Sequence, residues 1–72
     1  MITVRFSVRE RYDIIKDVEL VTFMATTDKG TYFADFVRDG RYSERQRREL
    51  FKRLTIEAIE RKEPPCQIDL DS

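Results

Sequence analysis

Histidine and tryptophan are absent from this 72-residue chain, cysteine occurs once, and glycine and proline occur twice each. Each scarcity excludes something. Without histidine the chain lacks the side chain whose ordinary pKa suits acid–base work near neutrality, and also the commonest metal ligand. A single cysteine, Cys66, rules out an internal disulfide, so the fold does not depend on an oxidising compartment. Cys66 follows Pro65 with no cationic neighbour in sequence to lower its pKa and no histidine to serve as base, which argues against a nucleophile. The carboxylates Asp13 with Asp17, and Asp69 with Asp71, do not have the spacing of a calcium loop. No catalytic, cofactor-binding or metal-ligating residue is therefore expected, and an enzyme is the least favoured class.

Charge of one sign is also missing. Fourteen basic and fourteen acidic side chains give a formal net charge of +0, a poor basis for nonspecific binding to nucleic acid. No apolar run approaches the ~18 residues of a membrane span. No charged segment followed by an apolar one opens the chain, so neither a signal peptide nor a membrane anchor is expected, and the expected location is cytoplasmic.

What remains suits one small domain over residues 1–72. The chain is 40% hydrophobic and 11% aromatic, enough for a core, while 39% is charged. A chain this short buries only ~60% of the surface its unfolded form exposes, so its stability is expected to be modest and a partner surface would add to it.

Periodicity gives the elements. Ile2, Val4, Phe6 and Val8 alternate with Thr3, Arg5 and Ser7, which predicts a half-buried strand over 2–8. Residues 9–17 are mixed, charged but with Tyr12, Ile14 and Ile15, and read as a wide connection that could hold a helical turn. Residues 18–26 predict a strand apolar on both sides, with Val21, Phe23 and Ala25 opposite Val18, Leu20 and Met24. Such a strand lies mid-sheet or beneath a second layer. Thr27-Asp28-Lys29-Gly30 predicts a tight turn, and residues 31–38 a third strand that Asp39-Gly40 ends. From Ser43 to about Lys62 the pattern turns helical. Ser43 is a good N-cap and Gln46 completes a capping-box pattern. Leu50, Leu54 and Ala58 share an arc, with Phe51 beside them. Glu49–Arg53 and Glu57–Arg61 are favourably ordered pairs, and Pro64-Pro65 stops the helix. Cys66, Ile68 and Leu70 alternate with Gln67, Asp69 and Asp71, and read either as a short fourth strand or as a frayed end.

The expected fold is α+β, a three-stranded antiparallel meander followed by one amphipathic helix on one sheet face. Val4, Phe6, Val8, Phe23 and Phe36 would meet Leu50, Phe51, Leu54 and Ala58 in the core.

Two irregularities point toward function. Arg41, Arg45, Arg47, Arg48, Lys52 and Arg53 crowd the first half of the helix, against the macrodipole, with only Glu44 and Glu49 to offset them. They form a candidate anion or nucleic-acid patch, or a solvated face balanced by acids elsewhere. Ile56, with Ile59 at its margin, lies on the charged outer side of the helix and is a candidate protein contact. Two nucleic-acid analogies are weaker. Lys29, Gly30, Phe33 and Phe36 fall in register with part of the RNA-recognition-motif signature, but Thr31, Tyr32 and Ala34 depart from it and the first long helix is missing. Three strands backed by a helix also occur in modules that lay a sheet in the DNA major groove, where Arg5 and Arg9 could serve. The expected function is a small non-enzymatic protein-interaction module, a homodimer or an adaptor. The alternative is a nucleic-acid-binding module using the basic helix segment and the polar sheet face.

Overall fold

The computed structural model describes residues 3–38, 40 and 43–70. The chain runs β1 (Arg5–Asp13), β2 (Val18–Thr27), β3 (Gly30–Arg38) and α1 (Glu44–Glu60). The three strands form one antiparallel sheet in the order β1-β2-β3, with the helix against one face. This is the α+β meander-plus-helix that the periodicity predicts. Ile2, Asp39, Arg41 and Asp71, used in the expectations above, lie outside the described residues.

β1 departs from expectation. It runs on through Arg9–Asp13, the stretch expected as a wide connection, and pairs with β2 along its whole length, from Arg5 opposite Thr26 to Asp13 opposite Val18. Only Ile14–Asp17 turn. The Asp13 carboxylate accepts from the backbone N–H groups of Ile15 and Lys16 at 3.0 and 3.1 Å, and Asp17 takes the left-handed conformation at φ 54. These are devices by which short polar side chains close a turn. The charges in Arg9–Asp13 suggested a loop, but a strand open to water on both faces tolerates them.

The second hairpin is tight. Asp28 and Lys29 join β2 to β3, and the Thr27 hydroxyl accepts from Lys29 N–H and donates to the Gly30 carbonyl, both at 3.1 Å. Gly30 sits at φ 139, and a Cβ there would come within 2.9 Å of Pro65 Cγ. Conformation and close approach both require glycine.

Direct partners in an antiparallel ladder share a face, so the register divides the sheet. Phe6, Val8, Glu10 and Tyr12 lie on the helix side with Glu19, Val21, Phe23 and Ala25, and with Tyr32, Ala34, Phe36 and Arg38. Val21, Phe23, Ala25, Tyr32, Ala34, Phe51, Ala58, Ile68 and Leu70 make the buried core. Phe51 carries the helix into it, with ring centroids 5.7 Å from Phe23 and 6.4 Å from Phe6.

The buried line of the helix is Arg47, Phe51, Thr55 and Ala58, with Leu50 and Leu54 half-buried beside it. The stripe expected through Leu50, Leu54 and Ala58 is thus turned partway around the helix, because the helix sits over β2 and β3 and presents Phe51 to Phe23. Ser43 caps the helix as expected, its hydroxyl accepting from Gln46 N–H at 3.3 Å. At the other end, Glu63 N–H bonds the Ala58 carbonyl at 2.9 Å and Lys62 N–H bonds that of Ile59 at 3.0 Å, with Lys62 at φ 60. This is the Schellman arrangement, with lysine in the position glycine favours.

After the prolines the tail lies along β3. Phe33 N–H donates to the Cys66 carbonyl at 3.3 Å, and Ile68 N–H donates to that of Phe33 at 2.7 Å, a single parallel bridge. The Tyr32 hydroxyl donates to the Glu63 carbonyl at 2.6 Å. Ile68 and Leu70 enter the core, so the tail is anchored, and among the described residues it pairs at one position.

Candidate functional site

The helix covers β2 and β3 and reaches β1 only through side chains. Sequence alternation predicted Phe6 and Val8 for the core. Instead they are 37% and 42% exposed, against 1% for Phe51, and only Val4 of the three expected residues is packed against the core from the chain start. The physical reason is width: one helix does not roof three strands, and it sits toward the β3 side, where the tail also packs.

The uncovered strip forms a cleft of about 350 Å³ between β1 and α1, lined by Phe6, Ser7, Val8, Phe23, Arg48, Phe51 and Lys52. Its floor is aromatic and aliphatic, and its rim is cationic. Lys52 Nζ stands 5.6 Å from the Phe6 ring centroid, within cation–π range. Farther along the same strand Tyr12 is exposed, and at the turn Ile14 and Ile15 are almost fully so.

The opposite sheet face has no described element over it. β1 contributes Arg5, Ser7, Arg9 and Arg11; β2 contributes Leu20, Thr22 and Met24; β3 contributes Phe33, Asp35 and Val37. Met24 pairs with Phe33 and Leu20 with Val37, separated by Thr22, whose hydroxyl donates to the Asp35 carboxylate. β2 is apolar on both sides, as its sequence predicts, and lies mid-sheet, but its second row gains no roof. Arg11 joins Arg5 and Arg9 on this face only because β1 is longer than its alternation suggested. None of the three makes an ion pair among the described residues.

The basic helix segment divides. Arg47 is buried, its guanidinium carbon 5.5 Å from the Phe36 ring centroid. Arg48 and Lys52 face the β1 cleft. Arg45 and Arg53, with Ser43, Gln46, Glu49 and Leu50, line a separate open concavity of about 770 Å³. The six positions therefore do not make one surface, and Arg41 is outside the described residues. Ile56 is exposed on the outer side of the helix, while Ile59 is half-buried and packs on the core.

Three carboxylates converge on Arg38, which sequence reading passed over. Its guanidinium meets Glu44 at 2.5 Å, Glu10 at 2.7 Å and Glu19 at 2.8 Å, joining β3 and the first turn of the helix to both other strands of the sheet. Hydrogen bonds to Glu44, then Glu10 and Glu19, hold its pKa above the ordinary arginine value. With its pKa raised, the Arg38 guanidinium stays cationic across the ordinary pH range. The cluster is exposed, so its role is to fix the helix start more than to add much stability. Glu44 also offsets part of the macrodipole mismatch.

Among the described residues, no group of histidine, cysteine, aspartate and glutamate could hold a metal ion, and no helix is long and apolar enough to cross a membrane. No family model matches the chain, and neither a curated protein nor a solved structure is significantly similar to it.

Proposed function

We propose that the chain is a small non-enzymatic protein-interaction module that receives its partner along β1. The observation that supports this reading is the strand left uncovered. β1 is nine residues long, is an edge of the sheet, and holds Phe6 and Val8 over an apolar cleft the helix does not close. An edge strand presents alternate N–H and C=O groups outward, a ready template for an added strand. Peptide recognition by strand addition draws affinity from that edge and specificity from pockets for alternate side chains.

Site-specific photocrosslinking in the cells that make the protein tests the reading. A crosslinker replacing Tyr12 or Val8 is expected to give a discrete protein adduct, and one replacing Ile56 or Glu57 on the outer side of α1 is not. Adducts at Ile56 with none on β1 would refute the placement, and none at any position would refute the function.

A second reading, nucleic-acid binding, draws on Arg5, Arg9 and Arg11, which share the open sheet face with Phe33. A cationic track beside an exposed ring suits single strands. It ranks second because the helix cations that were to extend the track are split, with Arg47 buried.

A further inference from the structure

Resting on the β1 reading, we infer that the segment added to β1 is an extended strand of a partner protein in which apolar and acidic side chains alternate. A strand laid ~4.8 Å from β1 turns successive side chains to opposite faces. On the helix side one row meets Phe6 and Val8 at the mouth of the cleft, with Phe51 below and Arg48 and Lys52 at the rim. Apolar side chains fill that row. On the open side the other row runs beside Arg5, Arg9 and Arg11, where opposite charges directly across strands stabilise and like charges destabilise. Among the described residues, the acids on or beside β1 do not meet this demand. Glu10 is turned to the helix side and bonded to Arg38, Asp13 closes its turn, and Asp35 is bonded by Thr22 on the far strand.

The same arginines argue against a second copy as the occupant. An antiparallel β1–β1 pair is isologous. Centred on Ser7 it sets Arg5 opposite Arg9; on Val8, Arg5 opposite Arg11; on Arg9, Arg9 opposite itself; on Glu10, Arg9 opposite Arg11; and on Arg11, Arg11 opposite itself. Each of these registers, the ones that pair five or more residues of β1, juxtaposes cations. At the other edge of the sheet the tail bridges β3 at one described position, with Ile68 and Leu70 buried and Gln67 and Asp69 exposed. A nucleic acid would satisfy the arginines but leave the main-chain edge and the apolar cleft unused.

The test titrates the isotope-labelled full chain by NMR with capped peptides nine residues long, the length of β1. One alternates valine with glutamate, one valine with glutamine, one valine with lysine, and one is the glutamate peptide with a central proline. A single-stranded oligothymidylate is the fifth probe. The glutamate peptide is expected to shift the β1 amides and the signals of Phe6, Val8 and Lys52, and to bind about tenfold more tightly than the glutamine peptide at ~50 mM salt, an advantage lost at ~500 mM. The lysine and proline peptides are expected to leave β1 unmoved. An Arg9→Glu, Arg11→Glu double variant, its fold verified by its own spectrum, should prefer the lysine peptide. Equal binding of the glutamate and glutamine peptides on β1 would overturn the acidic assignment and leave the β1 reading standing. Failure of every peptide to shift β1 would overturn both. Tighter binding of the oligothymidylate at Arg5, Arg9 and Arg11 would replace the inference with the nucleic-acid reading.

Discussion

Phe6 and Phe51 face each other across the cleft, ring centroids 6.4 Å apart, yet truncating them should have unequal effects. Phe51 is 1% exposed and stands against both Phe23 and Phe6. A buried Phe→Ala change costs about 3–5 kcal/mol, part of it for the cavity. Phe6 is 37% exposed. With about two thirds of its surface covered, and full burial of a phenylalanine contributing about 1.5–3 kcal/mol, Phe6→Ala should cost only about 1–2 kcal/mol. Water enters the vacated position from the open side, so no cavity contribution is added. A domain of 72 residues has about 4–11 kcal/mol in total, so Phe51→Ala removes from about a quarter to all of the stability available. Phe51→Leu is the variant to measure where the alanine change leaves no folded baseline, and it too should cost more than Phe6→Leu. Urea unfolding followed by circular dichroism supplies the numbers, with a slope on the order of 1 kcal/mol per molar for a chain this small. A Phe6→Ala change as costly as Phe51→Ala would mean that β1 is roofed in solution. It would refute the argument that the helix leaves this strand open. A midpoint that rises with protein concentration would identify a second copy as the roof.

Three backbone and core details give further tests. Thr55 is fully buried, and its hydroxyl lacks a hydrogen-bond partner among the described residues, so the nearly isosteric Thr55→Val should be neutral or stabilising by up to about 1 kcal/mol in urea unfolding. Lys62 holds φ 60 at the helix C-terminus. Lys62→Gly should raise stability by about 0.5–1 kcal/mol, read as a higher melting temperature, because glycine adopts that conformation without its side chain crowding the backbone. Gly30→Ala should cost more than about 1 kcal/mol, since the added methyl meets Pro65 at 2.9 Å and the φ of 139 disfavours it; a wild-type melting temperature would show that the tail is not seated against the turn.

The elements were legible wherever one periodicity dominated. The two-faced apolar run of β2, the Asp28-Lys29 turn before Gly30 and the Ser43 cap all carry their physics locally, and the structure has each of them. The far half of β1 was not legible, because Arg9, Glu10 and Arg11 are loop-like by composition and are held in a strand by pairing with Thr22, Val21 and Leu20. The helix stripe was legible only to within a partial rotation. Leu50 and Leu54 outrank Arg47 and Thr55 in hydrophobicity, but the seat of Phe51 on Phe23 sets which line faces the sheet, and Arg47 is accommodated by stacking on Phe36.

The candidate surface was hidden by the same two shortfalls. Alternation marks Phe6 and Val8 as apolar and says nothing about whether anything covers them; that depends on where a helix about 25 Å long comes to rest on three strands. Once it rests toward β3, the apolar row of β1 is left partly exposed, and on the proposed reading the arginines alternating with it form the second row of a docking edge. The helix cations then acquire different meanings by position. Arg47 serves packing, Arg45 and Arg53 line an outer concavity, and Arg48 and Lys52 stand at the mouth of the apolar cleft beside β1. A pair of helix cations on that rim and three strand cations across the edge flank a line of backbone that is unpaired among the described residues. That arrangement favours an acidic strand over a flat anionic surface, because only a strand engages the backbone line and both flanks together.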